Sequence, residues 1–471
     1  MSRVVVIGAG LAGLLAAGRL VQGGAEVILI GFGIGGLQLG HGCLDVLGRL
    51  PMTGRPTRPA VPGEPAASAK PALGDTAGNE HPAACLGAAG GRPEPGGSRQ
   101  SAGGMPGETG CEDDRHRRDP QPPGLVQTPL AAVDGLPGTH PYRVLGRRAI
   151  KAGMGFAADF FGPGLLTGGL AGNLLLPTAL GVLRPTAYAS PSMVGPLDEV
   201  VVVGLRQLKD FQPGLLAENL RRTLPAARVR SHWVDLPARA GEADSSALHY
   251  ARALAEPRYR RRFVQMIGRV ARGSETLLLP AILGLAAGDW QAIARAWQRP
   301  VAEVPLPPPS VPGMRLNSHA LARLRAAGVR IIDGSRVTGL RGNARVHAVQ
   351  IATAGHPTAI GCDAVIHAGG GFESGTLALD SRGRLTERLG LPVWRPAGPA
   401  FVADRRADQP LWRAGLLVDA QARVLDQAGL PVYENLFAAG GILAGAVRWR
   451  EYSGEGIAAA SALRAAEGAL A

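Results

Sequence analysis

The chain has 471 residues, of which 46% are hydrophobic, so it is long enough to bury a large core and predicts two domains. Its formal net charge is +13 and comes almost wholly from arginine, since lysine occurs only at residues 70, 151 and 209. We attribute this charge to a compositional bias toward Ala, Gly, Pro and Arg. Anionic substrates and anionic lipid surfaces stay open as alternatives, whereas nucleic acid is discounted because no basic patch is interleaved with aromatic residues.

The cysteine pattern and the longest uncharged stretch exclude further classes of protein. The four cysteines are scattered without a CxxC pair, so we expect no structural zinc, no iron–sulfur cluster and no other metal site. The longest uncharged stretch, residues 160–183, is interrupted by prolines and glycines, which argues against a transmembrane helix. Because the first predicted strand begins at residue 4, we expect no signal peptide. The scattered cysteines fit a reducing, cytoplasmic location.

The first thirty residues predict a strand, a glycine turn, a helix and a second strand. Residues 4–7 are a β-branched run, the turn has the spacing GxGxxG, residues 14–22 are helical in pattern, and residues 27–30 are apolar. This unit binds dinucleotides: Gly8 permits a tight turn, Gly10 lets the backbone approach a pyrophosphate, and Gly13 lets the helix pack on the strand. The helix N-terminus offers free N–H groups to phosphate. We therefore predict a nucleotide-type cofactor at these three glycines.

One expected element of this unit is missing. An acidic residue usually ends the second strand and binds a ribose hydroxyl. Residues 31–33 are Gly-Phe-Gly here, and the nearest acid, Glu26, precedes the strand. Either the cofactor lacks an adenosine half, or another group binds the ribose.

The middle of the chain predicts an insertion followed by a second α/β region. Residues 51–130 are rich in Pro, Gly, Ala and Ser and cannot bury enough apolar surface to offset the entropy of ordering, so we predict a disordered insertion. Order returns near residue 140. We then predict a strand at 200–203, a loop through Gly204 and a helix after Pro213. An arginine-rich helical region at 248–272, an apolar segment at 277–287, and a proline-rich loop leading into a helix at 316–327 follow.

The C-terminal part predicts strands that end in glycines. Residues 329–332 form a strand, residues 346–351 and 358–361 a hairpin, and residues 363–368 a buried strand. Where a strand ends in glycine, the backbone packs closely against a flat cofactor, and a glycine-rich helix start does the same for a flavin ring or a phosphate. On these grounds the predicted cofactor-binding residues are Gly369, Gly370, Gly440, Gly441, Ser453, Gly454 and Gly456.

These elements predict an α/β fold. It is a Rossmann-like FAD/NAD(P)-binding domain that is split in sequence, with an inserted second α/β domain. Residues 1–50 would form the first βαβ unit, 51–130 the insertion, 131–327 a substrate or cap domain, and 328–471 the rest of the flavin-binding domain. Ligands in such folds bind at the carboxyl ends of the strands.

The motifs at residues 41–47, 140–142, 183–186, 306–316 and 371–375, with the N-terminal fingerprint, resemble the B subunit of the anaerobic glycerol-3-phosphate dehydrogenase family. The resemblance implies a flavoprotein that oxidises sn-glycerol 3-phosphate to dihydroxyacetone phosphate and passes electrons to a quinone in anaerobic respiration. FMN is the implied cofactor, with FAD as the alternative. The implied partners are a second, catalytic subunit and a membrane-bound iron–sulfur subunit, which hold the chain peripherally at the inner membrane. The segment 451–456 is more acidic than the family pattern.

Three residues are candidates for the chemistry. Alcohol oxidation by a flavin needs a base for the hydroxyl proton and cations for the substrate phosphate. His41 is the candidate base, with a structural histidine as the alternative. Arg184 is the candidate phosphate ligand, with a salt bridge or helix cap as the alternative, and Arg315 is expected to face the same cleft. The runner-up function is a non-catalytic flavin electron-transfer or assembly subunit of the same complex.

Overall fold

The computed structural model describes residues 2–51, 125–352, 356–405 and 407–471. Most of the predicted insertion, residues 52–124, lies outside the described residues. Residues 125–130 of the predicted insertion are described. Leu125 forms an antiparallel bridge with Arg49, and Val126 is buried in the core.

The helices and strands follow in chain order. The N-terminal part contains β1 (Arg3–Ile7), α1 (Leu11–Gln22), β2 (Glu26–Ile30), α2 (Gly36–Leu39) and β3 (Cys43–Leu44). After residue 124 come α3 (Pro141–Leu145), α4 (Arg147–Phe161), β4 (Thr167–Gly168), β5 (Leu174–Pro177), β6 (Leu183–Thr186) and β7 (Tyr188–Ala189). The next segment contains β8 (Glu199–Leu205), α5 (Pro213–Thr223), β9 (Arg228–Val234), α6 (Ala247–Ala253), α7 (Pro257–Gly268), β10 (Thr276–Pro280), α8 (Asp289–Trp297), β11 (Val301–Val304) and α9 (Val311–Ala326). The C-terminal part contains β12 (Arg330–Ile332), β13 (Arg336–Gly342), β14 (Val346–Ala352), β15 (Pro357–Gly361), β16 (Ala364–His367), β17 (Leu377–Leu379), β18 (Leu385–Glu387), β19 (Leu436–Ala438), α10 (Arg448–Glu451) and α11 (Gly454–Leu470). Within the described ranges, no helix is both long enough and apolar enough to cross a bilayer.

A five-stranded parallel sheet draws its strands from both ends of the chain. Its order is β12-β2-β1-β16-β19, and Ile7 at the end of β1 stands between Ile30 of β2 and His367 of β16. The β-branched residues of β1 are buried, as expected for a central strand of a parallel sheet that is covered on both faces. Helices α1 and α11 pack against each other and against this sheet. The carboxyl ends of β1, β2, β12 and β16 therefore meet at one edge.

A second parallel sheet has the order β11-β10-β8-β9 and its own apolar core. The predicted loop at Gly204 is wrong, because this glycine lies inside β8. A Cβ there would lie 2.5 Å from Cγ of Pro213, so glycine lets the start of α5 pack on the strand. The arginine-rich region divides into α6 and α7, with Pro257 at the start of α7. Both sheets belong to one compact unit.

Helix α9 begins five residues before its predicted start, inside the segment predicted to be a loop. The hydroxyl of Ser310 accepts a hydrogen bond from the Gly313 N–H at 3.2 Å and so caps the helix N-terminus. Pro312 is tolerated because a first-turn residue needs no N–H for the helix ladder. The proline-rich segment thus ends in a capped helix start that packs on residues 36–42.

Candidate active site

The glycines of the turn after β1 have two different roles: two of them allow close packing, and one leaves open space. Gly8 has φ +106°, and a Cβ there would lie 2.2 Å from the carbonyl oxygen of Ala368. A Cβ on Gly13 would lie 1.8 Å from the carbonyl oxygen of Gly8, so this glycine lets α1 lie close to the turn. Gly10 differs, because the nearest atom to its Cβ position is the Gly36 nitrogen at 3.8 Å. Gly10 therefore leaves an open cradle at the N-terminus of α1, where no acidic side chain occupies the first turn.

A cavity of about 90 Å³ opens at the carboxyl edge of the five-stranded sheet, beside this turn. Its wall includes Gly8, Phe32, Gly369 and His367. Nε2 of the buried His367 lies 3.0 Å from Oε1 of Glu387, whereas its Nδ1 is buried without a hydrogen-bond partner in the described part of the protein. Because buried polar atoms are normally satisfied, this Nδ1 is an atom that a polar group bound in the cavity would satisfy.

The remaining glycines at strand ends are placed differently from one another. Gly370 has φ +82° and closes the turn after β16. The N–H of the buried Gly440 donates to the Ser461 hydroxyl at 2.9 Å, so its backbone donor is already used inside the protein. Gly441 lines a separate cavity of about 370 Å³, and its carbonyl accepts a hydrogen bond from Arg448. Among these strand-end residues, Gly369 is the one on the wall of the cavity beside the glycine turn.

The start of α11 serves protein packing more than ligand approach. Ser453 is fully buried, and its hydroxyl donates to the Glu451 carboxylate at 2.9 Å. A Cβ on Gly456 would lie 2.1 Å from the hydroxyl oxygen of Tyr142, so glycine is needed there by a neighbouring side chain. Only Gly454, half-buried with nothing nearer than 3.8 Å, keeps open space among these three. The prediction of cofactor contact at Ser453 and Gly456 is therefore corrected, because protein atoms fill both places.

His41 and Arg184 meet although 143 residues separate them in sequence. Nη1 of Arg184 lies 2.9 Å from Nδ1 of His41, and both side chains line one cavity of about 280 Å³. Cys43 of β3 and Leu176 of β5 form part of its largely apolar wall, together with residues 305–307. The antiparallel pairing of β6 with β5 places Arg184 at this wall.

Arg184 is held on both sides by polar groups. Its Nη2 forms an ion pair with Asp45, and its guanidinium lies 5.1 Å from the centroid of the Tyr452 ring. Asp45 is buried, which raises the pKa of its carboxyl, although the positive charge of Arg184 opposes that rise. Its other oxygen, Oδ1, has no hydrogen-bond partner among the described residues. The pair therefore places the half-buried cation of Arg184 at the cavity wall, with the buried carboxylate of Asp45 behind it.

The geometry does not favour His41 as the base. A guanidinium has only donors, so Nδ1 of His41 must accept and the ring proton must sit on Nε2. Partial enclosure of the ring and the charge of Arg184 lower the pKa of His41 below its ordinary value. At neutral pH the ring is uncharged and its lone pair is engaged with Arg184. His41 is thus a donor through Nε2–H.

Asp45 and Glu455 were missed as candidates from the sequence. Glu455 lies in the first turn of α11, and the next residue, Gly456, donates its N–H to the Asp45 carbonyl at 2.8 Å. Loss of solvent and the negative charge of Asp45 raise the pKa of Glu455 to about 7. Burial raises the pKa of the neighbouring Cys43 to about 12, so this cysteine stays a thiol. The available signals were the motif at 41–47, which includes Asp45, and the acidity of residues 451–456.

The expectation that Arg315 faces the same cleft is not met. Its side chain is 1% exposed and forms a bidentate ion pair with Glu303, with Nη1–Oε2 at 2.6 Å and Nη2–Oε1 at 3.1 Å. Its Nε donates to the carbonyl of Gly284 at 2.9 Å. Arg315 therefore joins α9 to the second sheet, and its donors are used there.

Comparison with known proteins identifies the family. Residues 117–457 match the model of the FAD binding domain family. The chain belongs to this family. The match supports a flavin cofactor, and the N-terminal βαβ unit with its glycine turn precedes the matched range.

Curated relatives and solved structures are also similar to the chain. The probable B subunit of an anaerobic glycerol-3-phosphate dehydrogenase from Halobacterium salinarum is 29% identical over 369 residues, covering 73% of this chain and 84% of the relative. The corresponding B subunit from Pectobacterium carotovorum is 26% identical over 493 residues, covering 98% and 97%. The resemblance inferred from the motifs is confirmed by these relatives. A 3-ketosteroid Δ1-dehydrogenase structure from Sterolibacterium denitrificans is 12% identical with a TM-score of 0.40, covering all of both chains.

The residues at the sheet edge fit a flavin nucleotide. Gly10 leaves space for a phosphate at the N-terminus of α1, a twelve-residue helix without a side-chain cap. The cavity beside it holds a buried polar atom, Nδ1 of His367, that lacks a partner among the described residues. A cradle for phosphate and an unsatisfied polar wall therefore lie next to each other at the edge where such folds bind ligands.

Proposed function

We propose that this chain is the B subunit of a flavin-dependent sn-glycerol-3-phosphate:quinone oxidoreductase, which forms dihydroxyacetone phosphate in anaerobic respiration. The observation that carries the proposal is the meeting of Arg184 and His41 at the wall of one cavity, in a chain of the FAD binding domain family. The names of the curated relatives support glycerol 3-phosphate as the substrate.

The cavity has donors for an anionic substrate, and Glu455, whose charge interacts with Arg184 and Asp45 behind the cavity wall, is the group suited to accept a proton. Arg184 and the Nε2–H of His41 bind the substrate phosphate, since charge-assisted hydrogen bonds are the strong ones at such sites. Glu455, whose pKa is about 7, accepts the hydroxyl proton, because a base works best when its pKa lies near the operating pH. Hydride acceptance is the chemistry that a bound flavin supplies.

We infer that the flavin is FAD rather than FMN. The matched family is one of FAD binding domains, and the cavity at the sheet edge extends from Gly8 past Phe32 to Ser335 of the neighbouring strand's end. In a fold of this kind, the pyrophosphate lies at the glycine turn and the ribose of the adenosine half lies near the end of β2.

We retain the predicted domain division and partners as part of the proposal. Residues 1–50 and 328–471 would form the flavin-binding domain, since both contribute strands to the five-stranded sheet, and residues 131–327 would form the substrate domain around the other sheet. A second, catalytic subunit and a membrane-bound iron–sulfur subunit would hold the chain peripherally at the inner membrane. The relatives' names, which designate one subunit of a dehydrogenase, support this assembly.

The test is the KM of glycerol 3-phosphate in an Arg184→Lys variant of the assembled dehydrogenase. Lysine keeps the positive charge beside Asp45, but it lacks the planar guanidinium whose several N–H donors can bind a phosphate and His41 at the same time. Loss of charge-assisted hydrogen bonds worth about 1.5–3 kcal/mol predicts a KM roughly 10- to 100-fold higher. Arg222→Lys on the exposed face of α5 is the matched control and leaves the KM unchanged. An unchanged KM in Arg184→Lys would remove Arg184 from the phosphate site.

A non-catalytic electron-transfer or assembly subunit is the second candidate function. One observation favours it: Asp45 and His41 already engage both terminal nitrogens of Arg184. In that role the chain would bind flavin, and substrate would reduce it only through a partner subunit.

A further inference from the structure

We propose that Asp333, at the end of β12, replaces the acid missing from the end of β2 and binds the ribose hydroxyls of an adenosine-containing flavin. This inference rests on the proposed flavin function and deepens it. It also answers why a glycine follows β2.

The sheet register places Asp333 beside the missing position. In the parallel pair of β2 and β12, Ile30 stands opposite Ile332, so the next pair along is Gly31 and Asp333. Backbone hydrogen bonds continue past the strands, with the Gly31 N–H donating to the Ile332 carbonyl at 2.9 Å and the Ser335 N–H donating to the Gly31 carbonyl at 3.1 Å. The two positions are therefore fixed side by side at the carboxyl edge.

The Asp333 carboxylate points to where a side chain at position 31 would be. A Cβ on Gly31 would lie 3.3 Å from Oδ1 of Asp333 and 3.1 Å from Cβ of Ala9, the residue between the first two glycines of the turn. In the usual arrangement, the side chain of the ribose-binding acid that ends the second strand would start from this same Cβ position. The carboxylate of Asp333 therefore requires a glycine at position 31, because a side chain there would crowd both the glycine turn and this carboxylate.

The surroundings suit a nucleoside and leave the carboxylate accessible. The Asp333 side chain is 64% exposed, and its ion pair with Arg325 is long at 3.8 Å and exposed, so that contact is worth little. Beyond it, the Arg336 guanidinium lies 4.0 Å from the centroid of the Phe32 ring. Both of these side chains, together with Ser335, line the cavity next to the glycine turn. The Asp333 carboxylate, the Phe32 ring and the open space at Gly10 therefore follow one another along this edge of the sheet.

The experiment measures binding of FAD, FMN and ADP to the full chain after removal of its flavin. For Asp333→Asn we expect the Kd of FAD and of ADP to rise roughly 10- to 100-fold, the loss expected for hydrogen bonds to a charged group, with the Kd of FMN unchanged. Glu26→Gln, at the opposite end of β2, is the matched control and leaves all three unchanged.

Four results would overturn the inference. Asp333→Asn that binds FAD as the unaltered chain does would remove Asp333 from the site, as would equal weakening of FAD and FMN. An unaltered chain that binds FMN but neither FAD nor ADP would refute the adenosine site while leaving the flavin function standing. A chain that binds no flavin at all would instead refute the proposed function, and this inference with it.

Discussion

Replacing Arg315 by methionine separates a structural arginine from a phosphate ligand. Methionine keeps much of the apolar length of the side chain but removes the guanidinium that Glu303 contacts with both oxygens. The Glu303 side chain is 0% exposed, so the variant leaves a carboxylate in the interior with the Leu283 N–H, at 2.8 Å, as a remaining donor. The carbonyl of Gly284 and the hydroxyl of Ser192 each lose a donor as well.

The expected cost follows from this burial. Breaking a buried ion pair by removing one partner costs about 3–5 kcal/mol, a large part of the roughly 5–15 kcal/mol by which proteins are stable. Replacing Glu303 by methionine in the same chain removes the stranded charge, so the double variant recovers part of the loss. Full recovery is not expected, since the Gly284 carbonyl and the Leu283 N–H lose these partners at a cost of about 1–3 kcal/mol each, whereas the Ser192 hydroxyl keeps its hydrogen bond with Ser190.

Urea unfolding followed by circular dichroism measures these differences. We expect the midpoint of Arg315→Met to fall well below that of the unaltered chain and the midpoint of the double variant to lie between the two. Arg222→Met on exposed α5 is the control, with a change within about 0.5 kcal/mol. An unchanged midpoint in Arg315→Met together with a raised KM for glycerol 3-phosphate would refute the structural assignment.

Two further predictions concern the start of α11. Because Glu455 has a pKa of about 7 in the folded chain against 4.5 for an ordinary glutamate, its contribution to stability is lost as the pH rises from about 4.5 to 7. Between pH 4.5 and 7, the urea midpoint of Glu455→Gln should therefore rise relative to that of the unaltered chain. The variant should also lose the limb near pH 7 in the plot of kcat against pH. Urea midpoints of the two proteins that change in parallel with pH would contradict the raised pKa. Gly456→Ala should lower the stability by about 1–3 kcal/mol through overlap with the Tyr142 hydroxyl, whereas Gly454→Ala, with open space, should change it little. Equal effects of the two alanines would contradict the packing assignment.

The elements that local patterns specify were predicted well. The β-branched run of β1, the glycine turn and the apolar run of β2 depend on neighbours within a few residues, and all three are present. Helix α9 started early because the Ser310 cap competes with the proline-rich signal that suggested a loop. The role of the glycines at the start of α11 could not be decided from the sequence. A bound ligand and a protein side chain such as Tyr142 both need a residue without a Cβ at such a position.

Long-range partners of charged residues could not be predicted. Arg184 and Asp45 are 139 residues apart, and only the pairing of short strands brings them together. Arg315 follows a proline-rich segment that suggested a cleft, but the direction of its side chain is set by Glu303 on β11. The same limit hid Asp333, because its relation to Gly31 exists only in the register of two strands about 300 residues apart in sequence.

An anaerobic absorbance titration of the flavin-loaded chain with glycerol 3-phosphate tests most directly whether this chain oxidises the substrate. We expect the oxidised flavin band to bleach with this chain alone, and Arg184→Lys to need a higher substrate concentration for the same bleaching. A band that stays oxidised at saturating substrate would contradict a working substrate site on this chain and would favour the electron-transfer role.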